Sequence, residues 1–232
     1  MTEADIILLA HGSPDPRHAR GVESLARRVR AAAQGRGVHE AYLDHHGPTP
    51  SDAAEQAGHG VVVPVLLTPA YHARVDVPAA VDAMNAVGGP FAASAALGPH
   101  PLLLRAAAAL LARAGVPARR STAVVLCAAG SSDSAAVASV GETLEAHGTP
   151  GDWGPWRVAA LDGGNSLPDV LAGLRGQAEE VVAVAFMVAE GVLRDRMAEH
   201  CAAAGVRLVP GALGDTDAAA VLVVERADRL PR

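Results

Sequence analysis

A short segment of this chain occurs twice, 118 residues apart. Leu8-Leu9-Ala10-His11-Gly12-Ser13 returns as Leu126-Cys127-Ala128-Ala129-Gly130-Ser131 (129 − 11 = 118). Tyr42-Leu43-Asp44 returns as Ala160-Leu161-Asp162 (162 − 44 = 118), and Ala96-Leu97-Gly98 as Ala212-Leu213-Gly214 (214 − 98 = 116). Matches that keep their order at a nearly constant offset read as an internal duplication. The 232 residues therefore divide into two halves, 1–117 and 118–232, joined near Val116-Pro117-Ala118-Arg119-Arg120-Ser121-Thr122.

Each half alternates two patterns. Unbroken aliphatic runs bounded by Gly and Pro read as strands buried on both faces, near 5–10, 38–43, 60–67 and 91–96, then 121–128, 156–161, 180–187 and 206–210. Helical patterns lie between them, at 17–33, 51–58, 74–87 and 101–115, then 133–147, 167–177, 190–204 and 216–229. Such alternation demands right-handed crossovers and parallel sheets. The expected fold is α/β: two similar doubly wound halves, each with a parallel four-stranded sheet flanked by helices. In such sheets ligands bind beyond the carboxyl ends of the strands. His11 follows the run Ile6-Ile7-Leu8-Leu9-Ala10, and His72 follows the run from Val61 to Tyr71. Both are expected at strand ends, facing one cleft.

Composition removes several classes of function. All nineteen basic residues are Arg, so a Walker A loop, a lysine Schiff base and a lysine general base are excluded. A formal charge of −6 argues against a nucleic-acid partner. No stretch approaches the roughly 20 apolar residues of a membrane span, and Met1-Thr2-Glu3-Ala4-Asp5 is acidic where a secretory signal is basic. Cys127 and Cys201 are too few and too distant in sequence for a disulfide framework or a zinc knuckle. A reduced, cytoplasmic setting is the expectation.

The remaining inventory is small. Gly12 permits a tight strand-to-helix turn, and Ser13 or Asp15 can cap the helix that follows, whose exposed amides attract anions. A histidine phosphatase also ends a strand in His-Gly, but with Arg before it, where this chain has Ala10. Neutral imidazoles at His11 and His72 can bind a divalent metal or accept a ring proton. Arg17 and Arg74 suit carboxylates. Asp76 either orients His72 or caps a helix beginning at Val77-Pro78. Asp44 adds a carboxylate to the same edge; His45, His46 and His59 lie on loops beside it, and Glu190 ends a strand in the second half. His100 opens a helix and reads as structural. Ala129 and Val192 stand where His11 and His72 stand, so the repeat retains the scaffold without its titrating groups. One site between pseudo-symmetric halves is the expectation, and the internal pseudo-dimer needs no second chain to complete it.

Ala10-His11-Gly12-Ser13, Tyr42-Leu43-Asp44 with Pro50-Ser51, Pro69 through His72 leading to Asp76-Val77-Pro78, and Leu97-Gly98-Pro99-His100-Pro101 together resemble the ATP-independent sirohydrochlorin chelatases in their long, two-half form. The resemblance implies a lyase that inserts Co²⁺ or Fe²⁺ into a tetrapyrrole, for cobalamin or siroheme, with no cofactor beyond the metal substrate. It implies that His11 and His72 bind the metal, Co²⁺, Fe²⁺ or Ni²⁺, and assist removal of pyrrole protons. Gly12, Ser13, Arg17 and Arg74 would hold the substrate. Two departures are visible: Pro14 replaces the Arg that commonly follows His-Gly-Ser, and Asp44 is shorter than the usual Glu. The alternative is a carrier of metal or tetrapyrrole on the same fold, which binds without turnover.

Overall fold

In a computed structural model, residues 3–68, 71–130, 134–162 and 165–230 are described, and the side chains of 71–74 and 134–136 also lie outside the description. The first half runs β1 (Asp5–Ala10), α1 (Pro16–Ala32), β2 (Val38–Tyr42), α2 (Pro50–Ala57), β3 (Gly60–Pro64), α3 (Tyr71–Val87), β4 (Phe91–Ala93) and α4 (Pro101–Arg113). The second repeats the order as β5 (Thr122–Gly130), α5 (Ser134–His147), β6 (Trp156–Asp162), α6 (Leu167–Leu174), β7 (Glu180–Ala185), α7 (Val192–Ala203), β8 (Arg207–Leu208) and α8 (Asp217–Asp228), with a 3₁₀ turn, Leu213–Asp215, before α8. The two sheets are four-stranded and wholly parallel, in the equivalent orders β2-β1-β3-β4 and β6-β5-β7-β8. The doubly wound α/β expectation holds in both halves.

Strand alternation sorts the core into three layers. Ile6, Leu8 and Ala10 face inward with Val124, Leu126 and Ala128 of the other sheet, in one continuous cluster that also takes side chains from α1, α4 and α8. Ile7 and Leu9 face outward into a cluster with Ala53, Ala54, Val77 and Met84 of α2 and α3. Ala123, Val125 and Cys127 do the same against Leu167, Leu174, Met197 and Cys201 of α6 and α7. Residues 6–10 are at most 1% exposed. A side chain of this size contributes about 1.5–3 kcal/mol when fully buried, so β1 and β5 are the strands on which both lobes hang.

The fourth helix of each half crosses to the other half. α8 packs on α1, α4 and β3, while α4 packs on α5 and β7. Each lobe is completed by a helix encoded in its twin.

Three expectations are corrected. β3 ends at Pro64, whose ring nitrogen has no hydrogen to continue the ladder, although the Val65 amide still reaches the Leu9 carbonyl at 2.8 Å. His72 therefore stands in the first turn of α3 and not at a strand end. Because α3 begins at Tyr71, Asp76 lies within the helix and not at its start, and Pro78 is interior to it. β4 stops at Ala93, and Ser94 N–H just past it still donates to the Val62 carbonyl of β3 at 2.9 Å. Among the described residues no helix is long and apolar enough to cross a membrane.

Candidate functional site

The site grows from the end of β1. Past Ala10 the chain leaves the sheet at His11, and the β2 side follows it: Leu43 N–H donates to the Ala10 carbonyl at 3.0 Å and Asp44 N–H to the His11 carbonyl at 2.9 Å. The next residue must be glycine. Gly12 has φ +94°, and a β-carbon there would lie 1.9 Å from the Asp44 carbonyl oxygen. Gly130 repeats the arrangement in the second lobe, φ +91° and 2.1 Å from the Asp162 oxygen. The duplicated turn thus holds His11 against Asp44 in one lobe and Ala129 beside Asp162 in the other. Asp44 is exposed, and its carboxylate accepts the His45 amide at 2.7 Å.

α1 starts directly behind His11. Asp15, and not Ser13, is its N-cap, accepting the Arg17 amide at 2.9 Å; the Ser13 hydroxyl instead accepts the Asp15 amide at 3.2 Å. The Arg17 guanidinium reaches Asp15 at 2.6 Å and, across the lobe boundary, Asp195 of α7 at 2.5 Å. Hydrogen bonds from Arg17 hold the Asp15 carboxyl down at about 2 and the Asp195 carboxyl below its ordinary value, while the two carboxylates push the guanidinium up. The Arg17 charge is thus shared between two carboxylates of the protein itself.

Next to Arg17 on α1, His18 is half-buried, and its Nδ1 has no hydrogen-bond partner among the described residues. Burial lowers its pKa, and the neighbouring imidazoles of His46 and His11 lower it further; Asp15 opposes them weakly. His46 packs its ring edge-on to Tyr42, centroids 5.6 Å apart, and its Nε2 is buried and unpartnered. Burial also pushes the Tyr42 phenol up to about 12. The sequence reads His46 only as a loop residue; the fold brings both it and His18 toward His11. Nothing in the sequence marks that pairing, since the two are 46 − 18 = 28 residues apart.

The other candidates are placed as follows. His72 and Arg74 belong to the first turn of α3, and their side chains lie outside the described residues. Glu190 precedes α7 and pairs with Arg194 at 3.5 Å. His100 is structural as expected: its Nδ1 caps α4 by accepting the Leu102 amide at 3.3 Å. Among the described residues no three His, Cys, Asp or Glu side chains converge on one ion-sized point. A hollow of about 650 Å³ lies between α5 and β6, walled by Trp156, Arg157 and Asp162 and by no residue of the first lobe. It holds no imidazole, so the donor chemistry and this hollow sit in different lobes.

Two parallel four-stranded lobes of equivalent strand order, with His11 at the end of β1 in one and Ala129 at the matching place in the other, form a duplicated, doubly wound α/β fold. Residues 5–114 match the CbiX family model. Three solved structures share the whole architecture. SirB from Bacillus subtilis with Fe³⁺ superposes with a TM-score of 0.75 at 19% identity, over 98% of this chain and 95% of that one. CbiX, described as the terminal enzyme for biosynthesis of siroheme in denitrifying bacteria, gives 0.70 at 19% identity over 98% and 100%. The sirohydrochlorin chelatase SirB from Bacillus subtilis subspecies spizizenii, in complex with cobalt, gives 0.67 at 16% identity over 98% and 94%. No curated protein matches the chain in sequence.

Proposed function

We propose that this protein inserts a divalent metal, Co²⁺ or Fe²⁺, into sirohydrochlorin without nucleotide hydrolysis and without a resident cofactor. The observation that carries the reading is His11, held by a glycine-only turn at the carboxyl end of a fully buried central strand, with the Asp44 backbone locked beside it. Metal insertion needs a cation held weakly enough to be surrendered, and imidazole suits Fe²⁺, Co²⁺ and Ni²⁺ without the grip of thiolate. It also needs an acceptor for two pyrrole protons, a role neutral imidazole fills near pH 7. We assign both tasks to His11 and His72, with Asp44 as an additional metal ligand. Residues 1–117 carry this chemistry and 118–232 supply the facing wall.

Substrate carboxylates fall to Gly12, Ser13, Arg17 and Arg74. Arg17 is already shared by Asp15 and Asp195, so on this reading Arg74 and the amides of the His11-Gly12-Ser13 turn take the larger part. The cytoplasm is the compartment we assign, in keeping with two free thiols.

The test is insertion of Co²⁺, Fe²⁺ and Ni²⁺ into sirohydrochlorin in parallel, followed by absorbance under multiple turnover. His11→Ala and His72→Ala should each abolish insertion while circular dichroism stays native. Insertion retained in both variants sinks the assignment. Stoichiometric binding without turnover in the native protein establishes the carrier instead.

A further inference from the structure

The two cysteines, 201 − 127 = 74 residues apart in sequence, meet in the fold. Their sulfurs are 3.9 Å apart in the outer core of the second lobe, one on β5 and the other on α7. Distance in sequence does not keep them apart in space: the alternation of β5 turns Cys127 outward, and α7 lies across that face. Both are free thiols and buried, 5% and 1% exposed. Met197, Leu161, Leu167 and His200 complete a hollow of about 10 Å³ against them, about the room one water-sized guest needs. No other cysteine exists in the chain to compete.

We propose that Cys127 and Cys201 form a reversible dithiol–disulfide couple, oxidised by hydrogen peroxide, that staples α7 to β5. The bond needs the gap to close from 3.9 Å to the roughly 2.05 Å of an S–S bond through rotation about the two Cα–Cβ bonds. The two thiols are not equivalent. Their mutual hydrogen bond, and then burial, push the Cys127 thiol up; the same bond holds Cys201 below the ordinary thiol value against its burial. Either sulfur can donate the bond between them, and the attack is written from Cys201.

Its thiolate attacks one oxygen of the peroxide, the O–O bond breaks, and Cys201 sulfenic acid and hydroxide result. Cys127 then attacks the sulfenic sulfur, an S–S bond forms, and its S–H proton leaves with the displaced hydroxyl as water. In sum two thiols lose two electrons and two protons, and one peroxide becomes two waters.

The position of the staple matters beyond the lobe. The first turns of α7 carry Asp195, which holds Arg17 at the start of α1 beside His11. A bond from α7 to β5 fixes the base on which that inter-lobe contact rests.

The test uses the intact chain. It is exposed to hydrogen peroxide, quenched and unfolded; thiols are then counted, and peptides are mapped without reductant. The expected result is a fall from two thiols to none, a Cys127–Cys201 linked peptide, and full recovery with dithiothreitol. The oxidised protein should also denature at a higher midpoint, since the cross-link restrains a long loop of the unfolded chain. In Cys127→Ser, Cys201 should stop at the sulfenic acid and be trapped by dimedone. Two thiols surviving in the native protein, loss of the Cys201 thiol to sulfinic acid without a linked peptide, or a link between two chains would each overturn the proposal. These readings on the native protein decide the matter even if the variant fails to fold.

Discussion

His18 shows how much one side chain takes from its surroundings. As a residue on a helix it is unremarked; in the fold its burial, and then the imidazoles of His46 and His11, make its charged form unfavourable. The folded pKa lies below the unfolded value near 6.5, so the unfolded chain binds the proton first. Above that value His18 is neutral in both states and contributes nothing to pH dependence. As pH falls below it, stability is lost. His18→Gln should therefore flatten the decline of the urea midpoint between about pH 7.5 and about pH 5.5. An unchanged slope would mean that His18 is no more buried in charge terms than a surface histidine.

Among the elements, α1 and α7 form the working contact between lobes. Arg17 in the first turn of α1 is gripped by its own N-cap, Asp15, and by Asp195. Both carboxyls are depressed, Asp15 to about 2. A depressed carboxyl contributes stability above its ordinary value of 3.8, and the contribution is lost as pH falls through the folded value. Asp195→Asn should thus be slightly less stable than the native protein at neutral pH, and the difference should shrink as pH falls below 3.8 in denaturant titrations at each pH. The contact is partly exposed, 36% at Arg17 and 48% at Asp195, so solvent and salt screening keep its worth small. Added salt should narrow the neutral-pH gap as well. Its importance is in the setting of one lobe against the other.

Across the whole molecule, the exchange of α4 and α8 makes the halves one cooperative unit. Leu222 and Val223 of α8 are fully buried with Ile6, Leu8 and Val22 of the first half. Leu222→Ala should cost about 2–5 kcal/mol. Calorimetry should still show a single transition, because the cavity opens in a core common to both sheets. Two separated transitions would mean that each lobe folds alone and the exchanged helices only decorate it.

Aliphatic runs and the 118-residue offset made the α/β class and the doubling legible from sequence, because each is a local pattern or a comparison along the chain. Strand exits are local too, which is why the turn at Gly12 was readable and its need for glycine evident. Four features required three-dimensional packing. His72 moves from a strand end into α3 because Pro64 stops the ladder early. Arg17 is bound to Asp195, 178 residues on. His18 and His46 draw toward His11, and the two cysteines close to within 3.9 Å. None of these has a sequence period or spacing, since each partner is chosen by how helices lie across sheets. Backbone pattern is written in neighbouring residues; side-chain encounters between distant segments are settled only when the sheets, and the helices they trade, pack against one another.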